Sequence, residues 1–156
     1  MQNSYQLENV IHKIEDFKNN SKKIVFTNGV FDLLHVGHVR YLNEAKKIGD
    51  ILVVGINSDD SVKKIKGPSR PINTMGDRAR ILLALKSVDY VISFDEETPL
   101  NLIKEVMPNV LVKGGDYEIK DIVGSEEVIK NGGLVKSLPF HQGYSSTRFI
   151  NQIKKQ

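Results

Sequence analysis

Two histidines three residues apart, His35 and His38, stand where a chain could give them phosphate charge to act on. The stretch Thr27-Asn28-Gly29-Val30-Phe31-Asp32-Leu33-Leu34-His35-Val36-Gly37-His38 follows an apolar run, Ile24-Val25-Phe26, and precedes a helix-forming segment, Val39 to Lys47. Strand, glycine turn and helix start together present backbone N–H groups and the positive end of a helix dipole to an anion. Gly29 lets the backbone approach a ligand closely, and the three-residue spacing sets both imidazoles on one side of the helix start. A glycine turn with two surface histidines would read the same way. A metal held by the protein fits poorly, because no further Asp, Glu or Cys stands at ligand spacing beside the pair.

Two more segments follow apolar runs and so belong at the same edge of a sheet. In Lys113-Gly114-Gly115-Asp116 the paired glycines permit contact between backbone and a flat ring or ribose, and Asp116 could accept from a hydroxyl. A plain turn has the same composition. In Gly143-Tyr144-Ser145-Ser146-Thr147, hydroxyls and free backbone donors at a helix start suit a phosphate, and so does any helix cap. Lys63, Lys64, Lys66, Arg70 and Arg78 surround a middle loop and helix. Arg78 falls in the first turn of that helix, an unfavourable place for a cation unless an anion is near.

The elements that must position these groups can be read from periodicity. Leu7, Val10, Ile11, Ile14 and Phe17 predict an amphipathic helix over 5–18. Strands are expected at 23–27, 51–56, 90–94, 110–112 and 134–138, and helices at 36–48, 59–65, 75–86, 98–106 and 125–130. A last helix is capped by Ser145-Ser146-Thr147. Residues 51–56 show no polar alternation, as a strand buried on both faces requires. Alternating strands and helices call for a doubly wound, Rossmann-like α/β fold: a five-stranded parallel sheet with helices on both faces and ligands at the strand C-termini. The expected organisation is one domain over 1–156, with residues 1–20 as an appended helix.

Composition narrows the classes. The 156 residues carry a net charge of +3, enough for a pocket for small anions and short of the concentrated basic field of a nucleic-acid binder. There is no cysteine, which excludes disulfides and thiolate nucleophiles and agrees with a reducing cytosol. Glu8, Glu15 and Asp16 interrupt any N-terminal apolar region, and the run Ile51–Ile56 is too short to cross a bilayer. A cytoplasmic protein with no membrane partner is expected.

Gly29-Val30-Phe31-Asp32-Leu33-Leu34-His35-Val36-Gly37-His38 resembles the His-x-Gly-His signature of the nucleotidyltransferase superfamily, followed in order by the Gly-Gly-Asp and Ser-Ser-Thr segments. Within it, Phe26–Gly29, Gly67–Asn73, Val112–Tyr117 and Asn131-Gly132-Gly133 are similar to the D-glycero-β-D-manno-heptose 1-phosphate adenylyltransferases, over about residues 22–154. In many bacteria that activity is one half of a bifunctional protein fused behind a heptose 7-phosphate kinase. No kinase half is present here, so a separate kinase is expected. Two departures are visible: Val30 where members often have Cys, and Ser145-Ser146-Thr147 for a Ser-Thr-Thr tail. Glycerol-phosphate cytidylyltransferases typically carry an Arg where Phe140 lies and a Trp where Tyr117 lies, which argues here for ATP over CTP.

The resemblance implies AMP transfer from ATP to the sugar phosphate. His35, His38, Arg78 and one of Lys63, Lys64 or Lys66 (Lys64 or Lys66 preferred) would stabilise phosphate charge. Thr27, Asn28, Gly29, Val30, Phe31, Asp32, Lys113, Gly114, Asp116, Tyr144, Ser145, Ser146 and Thr147 would join the histidines around ATP. Asp32, Lys64 and Arg70 would meet the acceptor. Mg²⁺ would be carried mainly by the ATP phosphates, with no protein-held metal. A homodimer is expected, as relatives are often dimers. The competing expectations are a cytidylyltransferase acting on glycerol 3-phosphate or a related alcohol phosphate, adenylyl transfer to a flavin or pantetheine phosphate, and a non-catalytic nucleotide-binding regulator.

Overall fold

A computed structural model describes residues 7–139 and 145–155. Five strands form one parallel sheet: β1 (Ile24–Gly29), β2 (Ile51–Asn57), β3 (Tyr90–Phe94), β4 (Val110–Gly114) and β5 (Leu134–Leu138). Their order across the sheet is β3-β2-β1-β4-β5. The chain therefore winds outward from β1 to β3, then returns past β1 to continue on its other side. The winding reverses between β1 and β4, and the C-terminal ends of those two strands open the crevice where such sheets bind ligands.

Among the described residues, α1 (Leu7–Asn19) precedes the sheet, α2 (Val36–Lys46), α3 (Asp59–Lys66), α4 (Met75–Leu83), α5 (Leu100–Val106) and α6 (Ser125–Lys130) connect the strands, and α7 (Ser146–Ile153) follows β5. The core is split by the sheet. On one face Val25, Leu52, Val54, Val110 and Val112 pack against Leu42 and Ala45 of α2 and Ala79 and Leu82 of α4. On the other, Ile24, Phe26, Val53 and Leu111 pack against Val10 and Ile14 of α1, Leu102, Ile103 and Val106 of α5, and Val128 of α6. Alternate residues of β1 and β2 serve opposite faces, so Ile24–Phe26 and Ile51–Val54 are apolar without a break.

The structure differs from the expectations at particular places. The amphipathic stripe of the N-terminal helix packs on one sheet face, with Val10 and Ile14 almost fully buried there. β1 continues to Gly29 and β4 to Gly114, each in register with its neighbours. The helix expected over 75–86 stops at Leu83, and the one expected from 98 begins at Leu100, after the N-cap Pro99. A short 3-10 turn at Ile119–Asp121 had no periodic signal. Among the described residues, no helix is long and apolar enough to cross a membrane.

Candidate active site

β1 delivers the chain into a turn of residues 30–35 and then into α2. Gly29 is required there, since a Cβ would lie 2.9 Å from Cε2 of the Phe31 ring. Phe31 takes a left-handed backbone conformation (φ 50°) and tucks its ring, 6% exposed, into the upper core. His35 then caps α2 in extended backbone, and its carbonyl accepts from the N–H groups of His38 (3.0 Å) and Val39 (3.3 Å). No acidic residue occupies the first turn of α2, so nothing on the helix itself neutralises the positive end of its dipole.

The two imidazoles stack with ring centroids 3.8 Å apart and planes 25° apart. The backbone N–H of His35 donates to His38 Nδ1 at 3.3 Å. That bond needs an unprotonated Nδ1, which puts the proton of the neutral ring on Nε2. Burial, with the neighbouring His35 adding to it, pushes the His38 pKa down to about 4, and burial lowers that of His35. Near neutral pH both rings are uncharged hydrogen-bond donors, not fixed cations.

A cavity of about 310 Å³ lies over this turn. It gathers residues from four directions: Asn28–Asp32, His35 and His38 from the end of β1, the turn and the start of α2, Lys66 and Arg70 from beyond β2, Lys113 and Gly114 from the end of β4 with Tyr117 after it, and Ser145, Ser146 and Thr147 from the start of α7. Ser146 Oγ donates to Leu33 O at 2.8 Å, docking α7 on the histidine turn. Gly114 is tight for its own reason, since a Cβ there would meet the Tyr41 ring at 3.1 Å. Burial depresses the Lys113 pKa. A larger, more open depression of about 500 Å³ lies beside the second half of α2, but its Lys46 is tied to Asp89 and its Lys47 to Glu44.

Four residues expected at the site are placed elsewhere. Arg78 is not poised for a triphosphate: its side chain has no exposed surface. Its Nε donates to Asn73 O (3.1 Å), Nη1 to Val30 O (2.8 Å), and Nη2 to Asn57 O (2.9 Å) and Asp59 Oδ1 (2.7 Å). Thr27 lies beneath the cavity, fully buried, with its hydroxyl bonded to Tyr41 Oη at 2.6 Å. Asp116 is exposed and does not line the cavity, nor does Lys64, whereas Lys66 does. Asp32 lines the cavity with its carboxylate turned toward the loop 70–73. Tyr144 lies outside the described residues.

Tyr41 went unread in the sequence although it lines the cavity. The available signal was its position three residues beyond His38 on the same helical face. Among the described residues there is no group of three or more His, Cys, Asp or Glu side chains able to hold a metal ion.

Residues 26–152 match the model of a family described as cytidylyltransferase-like. The chain belongs to that family. Among relatives of this cytidylyltransferase-like chain, the bifunctional protein HldE of Aliarcobacter butzleri is 58% identical over 88% of the chain and 28% of the relative. HldE of Haemophilus ducreyi is 50% identical over 97% of the chain and 36% of the relative. The chain thus spans about a third of the length of these curated relatives. A solved structure, a lipopolysaccharide core biosynthesis protein from Thermoplasma volcanium, superposes with a TM-score of 0.62 at 33% identity, covering 80% of this chain and 99% of that one.

Proposed function

We propose that this chain is an adenylyltransferase that moves AMP from ATP to D-glycero-β-D-manno-heptose 1-phosphate, releasing pyrophosphate and ADP-heptose. The observation that carries the reading is the stacked histidine pair at the unneutralised N-terminus of α2, inside a cavity with cations on two sides. The relatives named as bifunctional HldE proteins, and the neighbour named for lipopolysaccharide core biosynthesis, support heptose as the acceptor's class. The chain would act as a single domain, as a homodimer and in the cytoplasm.

The acceptor is already an anion, so the reaction needs neither a general base nor a covalent enzyme intermediate. It needs alignment of the acceptor phosphate with the α-phosphorus and donors for the charge that builds on the transferring oxygens. His38 supplies Nε2–H, His35 a second imidazole, and the turn at Asn28–Phe31 its backbone N–H groups. Uncharged imidazoles suit this task because they stabilise developing charge without clamping ground-state ATP as tightly as full cations would. Lys66 faces the departing pyrophosphate, Arg70 the acceptor phosphate, and Gly114 with Ser145–Thr147 the nucleotide. Mg²⁺ enters with ATP as part of the substrate.

A family described as cytidylyltransferase-like gives one specific reason to weigh CTP. Pyrophosphate release with the heptose 1-phosphate, measured with ATP and CTP in parallel, tests the reading. Release with ATP supports it, and release with CTP alone overturns it.

A further inference from the structure

Asp32 belongs to the histidine turn and lines the cavity, yet its carboxylate is spent on protein. Oδ2 accepts from Arg70 Nε at 2.7 Å, both oxygens accept from the Ile72 N–H at 2.9 Å, and Oδ1 accepts from the Asn73 N–H at 2.9 Å. Asn73 Nδ2 returns a bond to Asp32 O at 2.6 Å. The Asp32 side chain is 1% exposed and that of Arg70 13%. A carboxylate so enclosed and so fully engaged has no oxygen to offer a substrate hydroxyl. Burial would raise its pKa, but the two backbone donors and the Arg70 charge outweigh that and hold it below the usual carboxylate range. It stays charged and locked.

We propose that Asp32 is a positioning residue, which controls acceptor binding through Arg70 and the 70–73 segment that it fixes against the histidine turn. The inference rests on the nucleotidyl-transfer reading of this cavity. The pairing through Nε sets the direction of the Arg70 guanidinium, and a planar fork recognises a phosphate only when its direction is set. The same segment has a second anchor, since Arg78 Nε holds Asn73 O from the α4 side. Loss of the Asp32 charge therefore loosens the cavity edge of the loop and leaves its root in place. ATP, which that reading gives to the histidine turn, Lys66 and the β4 side, takes no contact from Arg70 and does not depend on this clamp.

Asp32→Asn is the direct perturbation, because its amide would turn N–H donors toward the N–H groups of Ile72 or Asn73. Asp32→Glu, one methylene longer and still charged, serves if the first variant does not fold. Binding of the sugar phosphate and of ATP is measured by calorimetry on wild type, each Asp32 variant, Arg70→Ala and the Asp32/Arg70 double variant, with amide exchange at Ile72 and Asn73 read in parallel. The acceptor Kd rises about 10- to 100-fold in each single variant, while the ATP Kd stays within about twofold. The double variant binds acceptor no more than about twofold worse than Arg70→Ala, since one residue acts through the other. Independent, multiplying losses, or an equal loss of ATP binding, would overturn the inference. A wild-type protein that binds both ligands but releases no pyrophosphate would refute adenylyl transfer, and the titrations would still decide the role of Asp32.

Discussion

Replacing Arg78 by Met separates a structural brace from a substrate ligand. Met keeps the length of the aliphatic stem, so the perturbation is chiefly loss of the guanidinium and its four bonds, to Asn73 O, Val30 O, Asn57 O and Asp59 Oδ1. These tie α4 to the histidine turn, the end of β2, the start of α3 and the loop before α4. Removing one partner of a buried ion pair costs about 3–5 kcal/mol, because what remains is a buried and uncompensated group. Here the exposed half of the pair softens the Asp59 share (its side chain is 36% exposed), and three main-chain carbonyls carry the rest. Against a total of about 5–15 kcal/mol for a domain, the loss is large. For this chain length it corresponds to a fall of about 6–20 °C in Tm. Thermal unfolding followed by circular dichroism reads it directly. Arg78→Lys keeps the charge but reaches only part of the set, so it falls between Met and wild type. A Met variant that melts within about 2 °C of wild type and fails only in ATP binding would refute the brace and return Arg78 to the substrate.

His38→Ala lowers kcat about 10²- to 10³-fold with little change in Tm, the loss expected for a missing transition-state donor; near wild-type turnover would remove His38 from the chemistry. Because the His38 pKa falls from 6.5 unfolded to about 4 folded, the unfolded chain binds more protons between those values. Stability conferred at this residue therefore rises with pH from about 4 to 6.5 and then levels, by about 2 kcal/mol after solvent screening of a partly buried group. Urea unfolding of wild type against His38→Gln across that range checks it, and an identical slope in both would contradict the burial argument. Lys66→Ala raises the KM for ATP about tenfold while Lys64→Ala leaves it within twofold, and steady-state kinetics showing the reverse would exchange their roles.

Strands β1 to β4 were legible because each contains an apolar run that the sheet buries, whereas β5, at the sheet edge, has no buried residue. The opening turn was legible because glycine, cap and histidine spacing are local signals. Arg78 was assigned to the site by a local rule, that a cation at a helix start awaits an anion, which has no view of long-range partners. Its oxygens come from Val30, 48 residues away, and from Asn57 and Asp59. Asp32 was read as a substrate ligand for the same reason, as its partners lie some 40 residues on. Lys64 and Lys66 look equivalent in sequence, but two helical steps turn them about 200° apart, so one of them faces the cavity and the other does not. Thr27 sits one residue too early: on β1 it faces Tyr41 under the floor, where a residue nearer the strand end would face the ligand.

The most direct measurement of the central claim follows the label. ATP carrying a radioactive α-phosphate is incubated with the protein, magnesium and the heptose 1-phosphate, and the products are separated and weighed by mass spectrometry. The account predicts label in a nucleoside-diphosphate sugar equal in amount to the pyrophosphate released, with both lost in His38→Ala. Label that stays in ATP, or that moves only when α-labelled CTP is supplied, would contradict it.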